Sequence, residues 1–131
     1  MWELKQRLSP LVKPALTEEL LSLYASASGD PNPIHLDPQF AREAGFPSVI
    51  AHGMLSMAFI ADGLCANFSE NKYKVEKLST RFKKVTFPGD VLTVQGEIKK
   101  IQPDGRLLIS LWTENQKGEI TSTGEAEVYS I

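Results

Sequence analysis

The chain has 131 residues, 42% of them hydrophobic, which is material for one domain around a single core and not for two. Fourteen basic and sixteen acidic residues leave a net charge of -2 without a long run of one sign, so neither nucleic acid nor an anionic membrane finds an electrostatic footprint. A lone cysteine, Cys65, excludes an internal disulfide, and the first residues, MWELKQRLSP, lack the apolar core of a signal peptide. The most apolar stretch, residues 49–68, is broken by His52, Ser56, Asp62 and Asn67, so a membrane span is not expected either. These features predict a soluble cytoplasmic protein, one domain over residues 1–131, with no internal repeat or linker.

The first helical signal begins at Thr17. Thr17 is a good N-cap, Glu18 and Glu19 sit where the helix dipole favours acids, and Leu16 with Leu21 suits a hydrophobic staple. Leu20, Leu21, Tyr24 and Ala27 are predicted to share one face, and Gly29 to end the helix in a left-handed turn. A second helix of about two turns is expected from Asp37 as N-cap through Pro38 to Gly45. The segment AHGMLSMAFIADGLCANF then carries apolar residues nearly all round and one charge, Asp62, a pattern of a helix buried on most sides, with Cys65 as a small core residue. Trp2 and Trp112 are expected to act as packing anchors.

From Tyr73 the period changes to that of strands. Leu78, Thr80 and Phe82 alternate on one face and Val85 and Phe87 follow on the other parity, so a bulge near Lys83 and Lys84 is predicted. Turns at PGD, QPDG and NQKG separate three further strands, which predicts a meander of about four antiparallel strands. The fold class is therefore α+β, a curled antiparallel sheet wrapped around the apolar helix. A helix so apolar needs more cover than a small sheet provides, so a dimer with edge-to-edge sheets is expected.

Between the first two helices lies GDPNPIHLD. Asp30 and His35 would lie about 140° apart on a helix, Pro31 and Pro33 exclude one, and an extended strand would point the two side chains to opposite faces. Only a folded loop brings them together. Held on one side, a carboxylate and an imidazole gripping one water form apparatus for proton transfer, since histidine titrates near neutral pH. A capping Asp30 and a satisfied His35 explain the same spacing. At AHGM, the helix start presents free N–H groups, and Gly53 lets a ligand approach the backbone, which suits a thioester oxygen gaining negative charge. His52 as a simple cap and Gly53 as a packing glycine are the other reading. Lys83 and Lys84 fit either carrier phosphates or edge protection.

YASASGDPNPIHLDPQFA followed by AGFPSVIAHGM resembles the signature of the MaoC-like, (R)-specific enoyl-CoA hydratases and dehydratases (hydratase 2), a branch of the hot-dog fold. The resemblance is most specific over residues 20–64 and extends loosely through RFKKVTFPGDVLTVQGEI. It implies that Asp30 and His35 are the catalytic pair, holding the water that adds to C3 of a trans-2-enoyl thioester to give the (R)-3-hydroxyacyl product, with Asp30 as principal base. It implies Asn32 and Gly53 as the substrate-binding set, Asn32 as the amide that fixes the loop and Gly53 as the oxyanion contact. No cofactor or metal is implied, and two histidines and one cysteine are poor material for zinc. The implied partners are an acyl-CoA or acyl-carrier-protein thioester and a second copy of the chain, or a different subunit in a heterodimeric dehydratase. A thioesterase and a non-catalytic acyl-CoA binding module are the readings from other classes. Where some relatives carry a hydroxyl residue two turns into the central helix, this chain has Ala61. Met57, Ala58, Phe59 and Ala61 fit either an acyl tunnel or plain helix packing.

Overall fold

The computed structural model describes residues 1–131 as β1 (Leu11–Val12), α1 (Glu18–Ser28), a 3₁₀ turn (Pro33–His35), α2 (Pro38–Glu43), α3 (Gly53–Asn67), β2 (Tyr73–Phe82), β3 (Thr93–Ile101), β4 (Leu107–Glu114) and β5 (Ile120–Ser130). The helix ends follow their capping residues. Thr17 accepts the Leu20 amide at 3.0 Å, and Leu16 and Leu21 are both buried in the core. Gly29 takes φ 73°, its N–H and that of Asp30 both returning to the Ala25 carbonyl. Asp37 accepts the amides of Gln39 and Phe40, with Pro38 beginning α2.

All strand pairs are antiparallel, in the order β1-β3-β4-β5-β2. The expected α+β arrangement is present: the curled sheet contacts α3 from β1, β2, β3 and β4. On β4 the alternate residues Leu107, Ile109, Leu111 and Thr113 are buried, and they face Phe59, Ile60 and Leu64 of α3 in one core. Gly63 brings α3 close to the sheet, because a Cβ there would stand 2.5 Å from Cγ1 of Val94.

The strand prediction needs three corrections. Only β3, β4 and β5 form a meander; β2 crosses to the far side and pairs with β5. The additional strand β1 is two residues long, too short for a period to reveal it. The register shift in β2 falls between Val75 and Lys77. At Lys83 and Lys84 both amides donate to the Thr121 carbonyl, as in a bulge, but β2 has already ended at Phe82 and Val85 to Phe87 form no strand.

The helices also differ from expectation in their buried faces. In α1, Leu21 and Ala25 are buried and Ala27 is exposed, because a turn of 3.6 residues carries Ala27 past the stripe that Leu21 and Ala25 define. In α3 one side remains open: Met54, Ala58, Asp62 and Cys65 are exposed, so Cys65 is a surface thiol and not a core residue. Trp2 does pack, its ring tilted 4.8 Å from Phe68, while Trp112 sits half-buried beneath the Arg7 guanidinium.

Candidate active site

The site forms where the end of α1 meets the start of α3. Past Gly29 the Asp30 carboxylate accepts the Asn32 amide at 3.3 Å, and the Asn32 side chain accepts the Ile34 amide at 3.1 Å, capping the 3₁₀ turn that ends on His35. Asn32 is thus turned inward to the backbone, where the sequence placed a loop-fixing amide. The turn is fastened to the segment before α3 at two points: Ile50 donates its N–H to the Ile34 carbonyl at 3.2 Å, and His35 Nδ1 lies 2.7 Å from the Ile50 carbonyl. A carbonyl can only accept, so Nδ1 donates in this bond and Nε2 is the ring nitrogen left for a ligand.

The folded loop brings Asp30 and His35 together, and it adds His52. One ligand-type atom from each of the three lies within 4.8 Å of the others. His52 is 2% exposed; its Nε2 donates to the Asp30 carbonyl at 3.3 Å. Its ring stacks on His35 with centroids 3.8 Å apart and meets Tyr24 edge-on at 4.9 Å. Burial holds the His52 pKa below the ordinary histidine value, and the neighbouring His35 adds to that, against the opposing pull of the Asp30 carbonyl and carboxylate. Its Nδ1 is buried without a partner, consistent with a neutral ring protonated on Nε2. His52 stands at the N-cap position of α3, but its side chain makes no capping hydrogen bond. The sequence reading set it aside as a possible cap; the only available signal was that it is one of two histidines.

Three convergent ligand atoms could also hold a divalent cation, although the sequence appeared poor in such ligands. Two nitrogens, His35 Nδ1 and His52 Nε2, are already committed to backbone carbonyls, leaving His35 Nε2 and the Asp30 carboxylate as the free groups. That pair suits a water better than a metal cage.

Gly53 opens α3 with no side chain capping it, and its N–H has no partner within the chain. A cavity of about 290 Å³ lies against it, lined among others by His35, Gly53, Ser56, Phe82, Lys83 and Thr121. Larger grooves of about 520 and 470 Å³ lie over β2, β4 and β5, away from the paired groups. None of Met57, Ala58, Phe59 or Ala61 lines the cavity; Phe59 is core. Lys83 and Lys84 both reach its rim, and Lys84 is paired with Glu119 at 2.5 Å. The walls that the sequence did not announce are Ser56, Phe82 and Thr121.

The description "MaoC like domain" matches residues 3–118 of this chain. The chain belongs to the MaoC-like domain family. Probable enoyl-CoA hydratase 2 of Dictyostelium discoideum is 31% identical over 120 residues, which cover 91% of this chain and 40% of that protein. The MaoC-like domain thus spans less than half of that curated relative. Among solved structures, R-hydratase PhaJ1 from Pseudomonas aeruginosa superposes with a TM-score of 0.88 at 32% identity, covering 98% of this chain and 82% of that one. The (R)-hydratase from A. caviae involved in PHA biosynthesis gives 0.88 at 29% identity, with 98% and 96% covered. In this MaoC-like domain no helix is long and apolar enough to cross a membrane.

Proposed function

We propose that this MaoC-like domain catalyses the (R)-specific hydration of trans-2-enoyl thioesters and the reverse dehydration. The observation that carries the reading is the convergence of Asp30 and His35 within 4.8 Å beside a cavity bordered by the uncapped amide of Gly53. The likeness to (R)-hydratases over nearly the whole chain supports it.

A water held by the Asp30 carboxylate and His35 Nε2 loses a proton to Asp30, the principal base, as its oxygen bonds to C3. The electron pair of the C2–C3 double bond moves toward the carbonyl, whose growing negative charge meets the Gly53 N–H and the positive end of α3. A proton delivered to C2 through the same pair completes the 3-hydroxyacyl thioester, and the bases end as they began. Asn32 serves by holding the loop, and Gly53 by admitting the carbonyl to the backbone. No step needs a cofactor.

The substrate is an acyl-CoA or acyl-carrier-protein thioester, and the working form is a homodimer in the cytoplasm. The outer edge of β2 has no partner within the chain, and Met54, Val75 and Val85 are exposed apolar residues that a second copy would cover. The test is loss of enoyl-thioester absorbance with crotonyl-CoA, with chiral analysis of the product. Asp30→Asn and His35→Ala should each lower kcat by at least about 10²-fold with folding intact. A wild-type protein inert on both CoA and carrier-protein thioesters would overturn the assignment.

A further inference from the structure

We infer that Phe82 is the wall that limits acyl-chain length in this site. This rests on the hydratase reading for the placement of the thioester, and on the following geometry for the wall. A Cβ built on Gly53 would lie 2.9 to 3.1 Å from three ring atoms of Phe82, so the ring lies directly against the backbone proposed to receive the carbonyl oxygen. Phe82, His35 and Gly53 line the same cavity and Asp30 lies outside its lining, so a thioester with its carbonyl at Gly53 and C3 beside His35 passes the ring.

The ring is not a core residue: it is 52% exposed and belongs to no part of the hydrophobic cluster, yet its backbone is held firmly. Phe82 pairs with Ser122, whose hydroxyl lies 2.5 Å from Thr113 Oγ1, and the next two amides, of Lys83 and Lys84, both donate to the Thr121 carbonyl. A side chain exposed at its tip and fixed at its root suits a boundary to a ligand better than it suits packing.

The space behind the wall sets the length. The cavity that the ring borders measures about 290 Å³, and the ring's position bounds the part of it left for an acyl chain. Longer chains must displace the ring or leave methylenes in water.

Binding of saturated acyl-CoAs from acetyl to dodecanoyl, measured by calorimetry against free CoA, reads the wall without requiring turnover. In the wild type, affinity should rise by up to roughly fourfold per methylene and level off before dodecanoyl. Phe82→Ala should carry the rise onward by about two to three methylenes, and Phe82→Trp should end it earlier. A ring with a merely structural role would shift every chain length together, in the same direction for both variants. That result, or a wild-type rise that continues unbroken to dodecanoyl, would overturn the proposal. The hydration assay on the matching enoyl-CoAs separates the two readings. A chain-length limit in binding without hydration leaves the wall standing and removes the hydratase assignment; hydration without a limit does the reverse.

Discussion

His52 offers a direct test of how the catalytic pair is held in place. Replacing it with alanine removes a ring stacked 3.8 Å from His35 and edge-on to Tyr24, together with the hydrogen bond to the Asp30 carbonyl. The lost ring contacts cost about 1 kcal/mol, the 3.3 Å hydrogen bond about 0.5 kcal/mol, and the emptied volume at a residue 2% exposed about 2 kcal/mol more. The total of roughly 3.5 kcal/mol corresponds to a fall in Tm of about 12 °C for a domain of this size. His52→Phe isolates the chemical part, since it keeps an aromatic ring there at slightly larger volume and deletes the bond that ties Asp30. It should melt within about 4 °C of the wild type. Because it frees the Asp30 backbone, it should still lower kcat about 10-fold with little change in KM. Differential scanning calorimetry beside crotonyl-CoA hydration reads both quantities. A His52→Phe protein with wild-type kcat would refute the positioning role and leave His52 as packing alone.

Three further outcomes follow from the same structure. The His52 pKa is lowered on folding, so below about pH 6.5 the unfolded chain binds a proton that the native chain refuses. Stability from this group is complete above that pH and is lost as pH falls toward the native value. The difference in melting temperature between pH 7.5 and pH 5 should therefore shrink in His52→Phe, and an unchanged difference would count against it. Gly63→Ala sets a Cβ 2.5 Å from Cγ1 of Val94, a branched side chain only 2% exposed, and should cost about 1 to 3 kcal/mol in urea unfolding; pairing it with Val94→Ala should recover part of that loss, showing that the two sites couple. Thr113→Val removes the partner 2.5 Å from the buried Ser122 hydroxyl and leaves Thr121 Oγ1 only its 3.4 Å bond to the Thr113 carbonyl, and should cost about 1 to 3 kcal/mol by the same measurement.

What the sequence disclosed and what it withheld divide along the range of the interactions. Thr17, Gly29 and Asp37 act within three or four residues of themselves, so their side-chain chemistry alone located the helix ends. The proline-bounded loop was legible for a similar reason: with helix and strand both excluded between Asp30 and His35, a folded turn was the conformation left. The neighbour of β2 was not legible, because alternation fixes which face of a strand is buried and is silent on which strand lies beside it. Cys65 was misplaced because an apolar helix looks the same whether its last side is covered by its own sheet or left open for something else. His52 is 22 residues from Asp30, and nothing local marks it as that residue's support. Phe82 was placed on one face of its strand with Leu78 and Thr80, but its contact with Gly53 depends on how the end of β2 folds over the start of α3.

The arrangement also separates chemistry from selectivity. Asp30 is set by the end of α1, His35 by a 3₁₀ turn clamped to Ile50, and the oxyanion position by the start of α3; the segment after β2 joins this unit through the 2.8 Å bond from the Ala51 amide to the Thr86 carbonyl. The side of the cavity opposite His35 and Gly53 comes from the end of β2, the residues just beyond it and Thr121, a different part of the chain. Substitutions at Phe82 therefore alter the space available to the acyl group while leaving the bonds that hold the Asp30/His35 pair in place. The pH profile of kcat for crotonyl-CoA should accordingly be the same in wild type and Phe82→Ala even where their chain-length preferences differ, because the titrating groups and their partners are unchanged. A profile displaced by one pH unit or more in the variant would mean that the ring also shapes the electrostatics of the pair, and that wall and catalytic apparatus are one unit.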